Sequence, residues 1–270
     1  MMRVTALVLV LLLSACADSV QHSPDAEEKV TIEQVWKADT WVNAHRTATL
    51  EDSLGRPIRV TNANYHGKGW TVEDRKHLLY ADTQLPIAIF SEHYARDGWR
   101  ASDSTMHQYD AAGRLEQSEV LAWMWSDARW VPAKRIVYEY DDTGLLRTQL
   151  TLRPFYDSDG EQVVLAAANE AAWHHQEMTT LTYNAEGQVH TETLVRWRNN
   201  QWQPRERKTH TYDGGQCTST TIETWRDDAW QPDVQQRYAY DAKGALTETV
   251  REKYAGAIWL PLSRTIVANF

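Results

Sequence analysis

The sequence predicts an all-β protein of about eight tandem β-hairpin repeats forming a twisted antiparallel meander, solenoid-like or partly closed. Three observations predict it. Trp41, Trp70, Trp99, Trp130, Trp173, Trp202, Trp230 and Trp259 recur with steps of 29, 29, 31, 43, 29, 28 and 29 residues, and a fixed period of this size marks a repeat architecture. Ten residues after six of these tryptophans stands a tyrosine: Tyr80, Tyr109, Tyr140, Tyr183, Tyr212 and Tyr240. Between these anchors polar and apolar side chains alternate with period two, as in strands.

Each element of the repeat has a physical reason. Five residues before seven of the tryptophans lies another aromatic, as at Trp36, Tyr65, Tyr94 and Trp125, with four turn-prone residues between. Trp123 is the one tryptophan outside this frame. Proline two residues after tryptophan, at Pro132, Pro204, Pro232 and Pro261, is tolerated near the start of a strand because it removes a ladder donor only where pairing begins. Arg46, Arg75, Arg135, Arg207 and Arg264 follow their tryptophans by five residues. After five of these tyrosines, all but Tyr80, a glycine closes a tight turn, and Leu115, Leu146, Val189 and Leu246 open the return strands. Ten is an even number, so uninterrupted alternation places tryptophan and tyrosine on one face at opposite ends of a strand. About sixteen strands twisting by 20 to 25° per pair turn through roughly 300 to 375°, so a flat sheet is excluded. Open twisted sheets seldom exceed about ten strands.

Tyr109-Asp110-Ala-Ala-Gly113-Arg114-Leu115 resembles the YDxxGRL motif of the Rhs or YD-repeat proteins, and the Tyr140 and Tyr240 units resemble it more loosely. The resemblance covers about residues 99–270 and implies β-hairpin repeats. Asn184 stands in place of aspartate after Tyr183, and the first two units match least. The chain is too short for the toxin-enclosing shell of that family, so encapsulation is not carried over. The WxxxxW hairpins are also similar to choline-binding repeats, which trap ligands between aromatics of adjacent hairpins.

The N-terminus carries Arg3, an apolar run over residues 4–13 and small residues leading to Cys16, the order of a secretory signal. Leu13-Ser14-Ala15-Cys16 resembles the lipobox of bacterial lipoproteins, which implies signal peptide cleavage after residue 15 and acylation of Cys16. Ala17, where that family's inner-membrane retention signal has aspartate, implies outer-membrane attachment. Residues 16–29 read as the lipidated cysteine and a polar tether, and residues 30–270 as a single repeat domain. With Cys16 acylated, Cys217 has no intramolecular disulfide partner and reads as a small buried filler. A formal charge of -9 argues against nucleic acid as a partner. Charged groups on both faces of RERKTHTY and LTETVREKY argue against a membrane-embedded barrel, which needs one continuous apolar face.

No zinc-protease, nucleophile-elbow or phosphate-loop motif is present, so the sequence predicts neither catalytic residues nor a metal or cofactor. Hairpin pairing about the turn after Trp197 predicts His190 opposite Thr209 and His210 on the other side of the sheet, against a shared metal site. Glu119, Glu192, Glu223 and Glu248 on return strands read as partners of arginines rather than as a glycosidase pair. The single break in the period is an insertion in which Tyr156, Asp157, Asp159 and Glu161 are the candidate binding residues. The expected function is therefore a lipid-anchored, non-enzymatic envelope module that binds a protein partner, with glycan or peptidoglycan binding as the alternative and an envelope hydrolase third. Solvent-facing tryptophans would favour sugar.

Overall fold

The structure, a computed structural model, describes residues 28–37, 40–81, 83–154 and 173–268. These residues form strands β1 (Glu28–Lys37), β2 (Thr40–Glu51), β3 (Pro57–Tyr65), β4 (Trp70–Tyr80), β5 (Pro86–Ala95), β6 (Gly98–Tyr109), β7 (Leu115–Met124) and β8 (Arg129–Tyr140). They continue as β9 (Leu146–Pro154), β10 (Trp173–Tyr183), β11 (Val189–Arg198), β12 (Gln201–Asp213), β13 (Gln216–Arg226), β14 (Ala229–Tyr240), β15 (Leu246–Tyr254) and β16 (Trp259–Ala268). Every strand pairs antiparallel with its sequence neighbours, and β1 pairs with β16, from Val30 opposite Ala268 to Val35 opposite Ser263.

The hairpin repeats stand as predicted, but the meander is neither open nor solenoid-like: it is a closed barrel. The accumulated twist is about one full turn, which brings the first and last strands together, and their pairing removes both exposed edges. Following paired residues once around the circle displaces the path by about 16 residues along the strands. For sixteen strands, that stagger gives a tilt of roughly 37° and a backbone radius of about 14 Å. Inward side chains then leave a lumen roughly 8 Å in radius.

Bulges overturn the expected common face for tryptophan and tyrosine. Each outgoing strand carries an extra residue three positions after its tryptophan; in β8, Val120 pairs with Lys134 but Leu121 with Pro132, leaving Ala133 unpaired. The same shift occurs in β2, β4, β6, β10, β12, β14 and β16. An extra residue inverts the alternation beyond it. Trp130, Pro132, Arg135 and Val137 therefore share one face, whereas Lys134, Ile136, Tyr138 and Tyr140 share the other. The prolines sit beside these bulges, where ladder pairing is already interrupted.

The tryptophan face is lumenal. Phe90 on β5 and Trp130 on β8 lie three strand steps apart, about 15 Å on a flat sheet, yet their ring centroids are 5.9 Å apart. Only a concave surface brings them together. The tyrosine face is the outer wall, and charged side chains such as Lys76, Lys134, Glu192, Lys208 and Arg251 project from it at mid-height. Charges thus stand on both walls, as the sequence predicted.

The two rims differ. At one, Asn199-Asn200 and Asp227-Asp228 all have positive φ, the signature of two-residue type I′ turns. At the other, the tyrosine-following residue caps its own turn: Asp110 Oδ1 accepts the amides of Ala112 and Arg114, each at 2.9 Å, and Arg114 Nε donates to Oδ2 at 2.7 Å. Gly113 takes φ 78° there. Asn184 Oδ1 makes the same two contacts with Glu186 and Gln188, which explains why asparagine serves as well as aspartate. The repeat tyrosine hydroxyls tie this rim to the neighbouring strand by donating to a carbonyl at its start, as Tyr140 does to Leu115 at 2.9 Å and Tyr183 to Leu146 at 2.6 Å.

Candidate functional site

Seven aromatic pairs, six of them edge-to-face and Tyr254–Trp259 tilted, surround one mouth of the lumen. They are Trp36–Trp41, Tyr65–Trp70, Tyr94–Trp99, Trp123–Trp130, Trp197–Trp202, Trp225–Trp230 and Tyr254–Trp259, with centroids 5.0 to 5.2 Å apart. The sequence expectation fails at one pair: Trp123, not Trp125, faces Trp130 across the hairpin. A loop two residues longer than its neighbours absorbs the difference, which also explains the 31-residue step. Trp125 lies on that loop and is half exposed. Trp173 faces Pro154 and is buried. The other rim tryptophans are half-buried, with Trp36 40% and its relative Tyr94 49% exposed. Water and ligands can reach the rim rings, which also clasp the hairpins.

Deeper in the lumen the arginines five residues after tryptophan form a belt. Each of four reaches over the tryptophan of the next repeat: Arg75 over Trp99 at 4.3 Å, Arg135 over Trp173 at 4.4 Å, Arg207 over Trp230 at 5.0 Å and Arg264 over Trp41 at 5.0 Å. The last contact spans the seam between β16 and β2. Acids on the return strands neutralise the belt and the nearby Arg237: Glu223 accepts from Arg207 at 2.8 Å, Glu252 from Arg237 at 2.8 Å, and Glu119 and Glu248 lie 3.5 and 3.7 Å from Arg135 and Arg264. Glu92 is 6% exposed and receives Arg75 and His77. Burial opposes its charge, but the hydrogen bonds from His77 and Arg75 prevail and hold its carboxyl below the usual range. Glu119, Glu223 and Glu248 are therefore cation partners, as predicted, and so is Glu192 on the outer wall, beside Lys208.

Among the described residues, the outer wall holds one constellation that looks catalytic. Thr220 Oγ1 lies 2.9 Å from His210 Nδ1, and His210 Nε2 lies 3.2 Å from Glu192 Oε1, a hydroxyl, imidazole and carboxylate in series. Thr220 is only 2% exposed and also contacts the Tyr238 hydroxyl at 3.1 Å, so no substrate can reach its oxygen. The arrangement recurs as His107, Ser118 and Tyr138, with His107 Nδ1 2.9 Å from Ser118 Oγ. Both sets are cross-strand links. Their signal lay in the sequence: histidine and then tyrosine stand eight residues after tryptophan in two successive repeats, twice. Nearby, a bulge makes Thr191, not His190, the partner of Thr209, correcting the predicted register. Among the described residues no cluster of three or more His, Cys, Asp or Glu side chains is placed to hold a metal ion. Cys217 is half-buried, its thiol 3.4 Å from the Ser219 carbonyl.

The candidate binding residues Tyr156, Asp157, Asp159 and Glu161 lie outside the described residues, as do Cys16 and tether residues 17–27, whereas Glu28 and Lys29, also read as tether, begin β1. Beside the insertion, where β9 ends and β10 begins, Lys134, Ile136, Gln149, Thr151, Arg153 and Glu177 line an outer-wall groove of about 470 Å³.

Fold and site together define a closed antiparallel barrel of hairpin repeats with an aromatic mouth and a charge-balanced lumen. No protein-family model and no curated protein matches the chain. Among solved structures it is similar to a porin-like protein from Bacteroides uniformis at 11% identity and TM-score 0.49, covering 88% of this chain and 94% of that one. It is also similar to a porin-like protein from Bacteroides vulgatus at 10% identity and TM-score 0.39, covering 88% and 97%. The TcdB2-TccC3-TEV structure matches at 15% identity and TM-score 0.29, covering 87% of this chain and 14% of that one.

Proposed function

We propose that the protein is a non-enzymatic envelope lipoprotein, attached to the outer membrane through acylated Cys16, whose lumen binds an extended glycan at the aromatic rim. The observation that carries the reading is the circle of half-buried, regularly spaced aromatic pairs, since flat ring faces and edges suit stacking against sugar rings. The chain enters β1 at the opposite rim, where Glu28 pairs with Leu50. An anchor at Cys16 therefore favours an aromatic rim turned away from the bilayer, the intervening residues spanning at most about 38 Å. Titrating the protein with soluble peptidoglycan fragments and neutral hexasaccharides, followed by tryptophan fluorescence, tests the reading. Saturable binding weakened about tenfold or more by Trp202→Ala or Trp230→Ala is expected. Absence of binding, or binding indifferent to both substitutions in folded protein, refutes it. Loss of palmitate labelling in Cys16→Ser tests the anchor.

A protein partner is the second reading, favoured by the groove beside the insertion and by exposed Met124, Trp125, Ile258, Leu260 and Leu262 near the aromatic rim. It requires that deleting residues 155–168 abolish a stoichiometric protein complex while leaving glycan binding intact.

A further inference from the structure

Within the glycan reading, on which this step rests, we infer that the ligand is an uncharged polysaccharide and that the ion-pair belt enforces that choice. The lumenal arginines are already engaged on two sides. Arg207 gives its Nε to Glu223 while its guanidinium lies over Trp230, and Arg75 is held between Glu92 and Trp99 in the same way. The side chains of these pairs are well shielded, from 7% exposed for Glu92 to 35% for Arg207. An anionic ligand meets an arginine whose charge its carboxylate already offsets, so it must either displace that carboxylate or lie beside its negative charge. A cationic ligand meets the mirror-image cost at Glu92, whose charge is already satisfied by two donors.

Hydroxyl groups face no such cost. A carboxylate has about four lone-pair sites and a guanidinium five N–H donors, so each pair keeps hydrogen-bonding capacity after its partner is satisfied. Sugar hydroxyls use that capacity without separating charges, while ring faces stack at the mouth. The balanced lining also leaves little net field to draw ions in from a distance. The aromatic rim thus supplies affinity, and the belt beneath it supplies discrimination.

The test measures binding of the full chain to hexasaccharides of three kinds, neutral (maltohexaose, cellohexaose, chitohexaose), anionic (oligogalacturonate) and cationic (chitosan hexamer), at about 0.05 and 0.5 M NaCl. Neutral binding that changes less than about twofold between the two salts supports the inference, because screening weakens interactions between exposed charges. Glu223→Gln, which frees Arg207, is expected to raise affinity for the anionic oligomer at least about fivefold and to make that binding salt-sensitive. Anionic or cationic oligomers binding the unaltered protein more tightly than neutral ones overturns the inference and leaves the glycan reading standing. Failure of all three kinds, and of soluble peptidoglycan fragments, to bind overturns the glycan reading itself.

Discussion

Replacing Arg264 with alanine tests closure of the barrel, because this side chain crosses the seam. Its Nε donates to Gln34 Oε1 on β1 at 2.9 Å, its guanidinium lies over Trp41 on β2, and Glu248 is 3.7 Å away. The charged hydrogen bond contributes about 1.5 kcal/mol at the lower end of its range, since the side chain is 30% exposed. The ring contact adds about 0.5 kcal/mol and the loose ion pair less. Arg264→Ala is therefore expected to cost about 2 kcal/mol in urea unfolding followed by tryptophan fluorescence. Arg237→Ala is the control: it lies on the same wall, pairs only with Glu252 and is 57% exposed, so about 0.5 kcal/mol is expected. Hydrogen exchange supplies the spatial readout. In Arg264→Ala the amides of β1 and β16 exchange faster while those of β6 and β7 hold, as expected when loss is local. Equal costs for the two variants, or exchange that rises uniformly, refutes the role of this side chain as the clasp of a closed seam.

Three further outcomes follow from the same geometry. Trp123→Ala is expected to cost about 2 kcal/mol and Trp125→Ala less than about 1, measured by urea midpoint, because only Trp123 sits opposite Trp130; the reverse order restores the pairing read from sequence. Gly113→Ala is expected to cost about 1 kcal/mol from backbone strain alone, since φ is 78° and no atom lies within 4 Å of the added carbon. Gly69→Ala, equally open and without positive φ, is expected to shift stability by less than about 0.5 kcal/mol in the same assay. Burial holds the His107 imidazole below its ordinary pKa. The unfolded chain then takes up a proton near pH 6.5 that the folded chain refuses. This contribution to stability is present above that pH and is lost as pH falls toward the folded value. His107→Leu, copying Leu78 and Leu181 at the same repeat position, is expected to shrink the difference between urea midpoints at pH 7.5 and 5.5; an unchanged difference refutes the assignment.

The strands were legible because their signal is local. Tryptophan, tyrosine and turn glycine recur at fixed offsets, and each repeat needs only itself to be recognised. The bulges were not legible, since an extra residue such as Ala133 or Arg205 leaves no mark on the spacing of the anchors. Only pairing reveals it. The consequences spread: with the parity inverted, Arg135 moved to the tryptophan face and Tyr140 left it. Closure was hidden for a related reason. It depends on the sum of small rotations over sixteen strands, and the estimated twist of about one turn pointed to it without choosing between a ribbon and a ring. The Asp52 turn shows the opposite limit. Its amide contacts match those of Asp110, yet Glu51 stands at the tyrosine position, so Trp41 marks the first repeat while its capped turn carries no YD signal.

The bulge is also what gives the barrel two chemically distinct walls from one short motif. Without it, tryptophan and tyrosine would line a single face and arginine the other, so rings and charges could not meet. With it, Arg207 can lie over Trp230 and still reach Glu223, all inside the lumen. The tyrosines, turned outward, tie the polar rim by donating to strand carbonyls, as Tyr212 does to Val189. One extra residue per hairpin thus separates the two jobs: the outer tyrosines hold the wall, and the inner tryptophans and arginines line the lumen together.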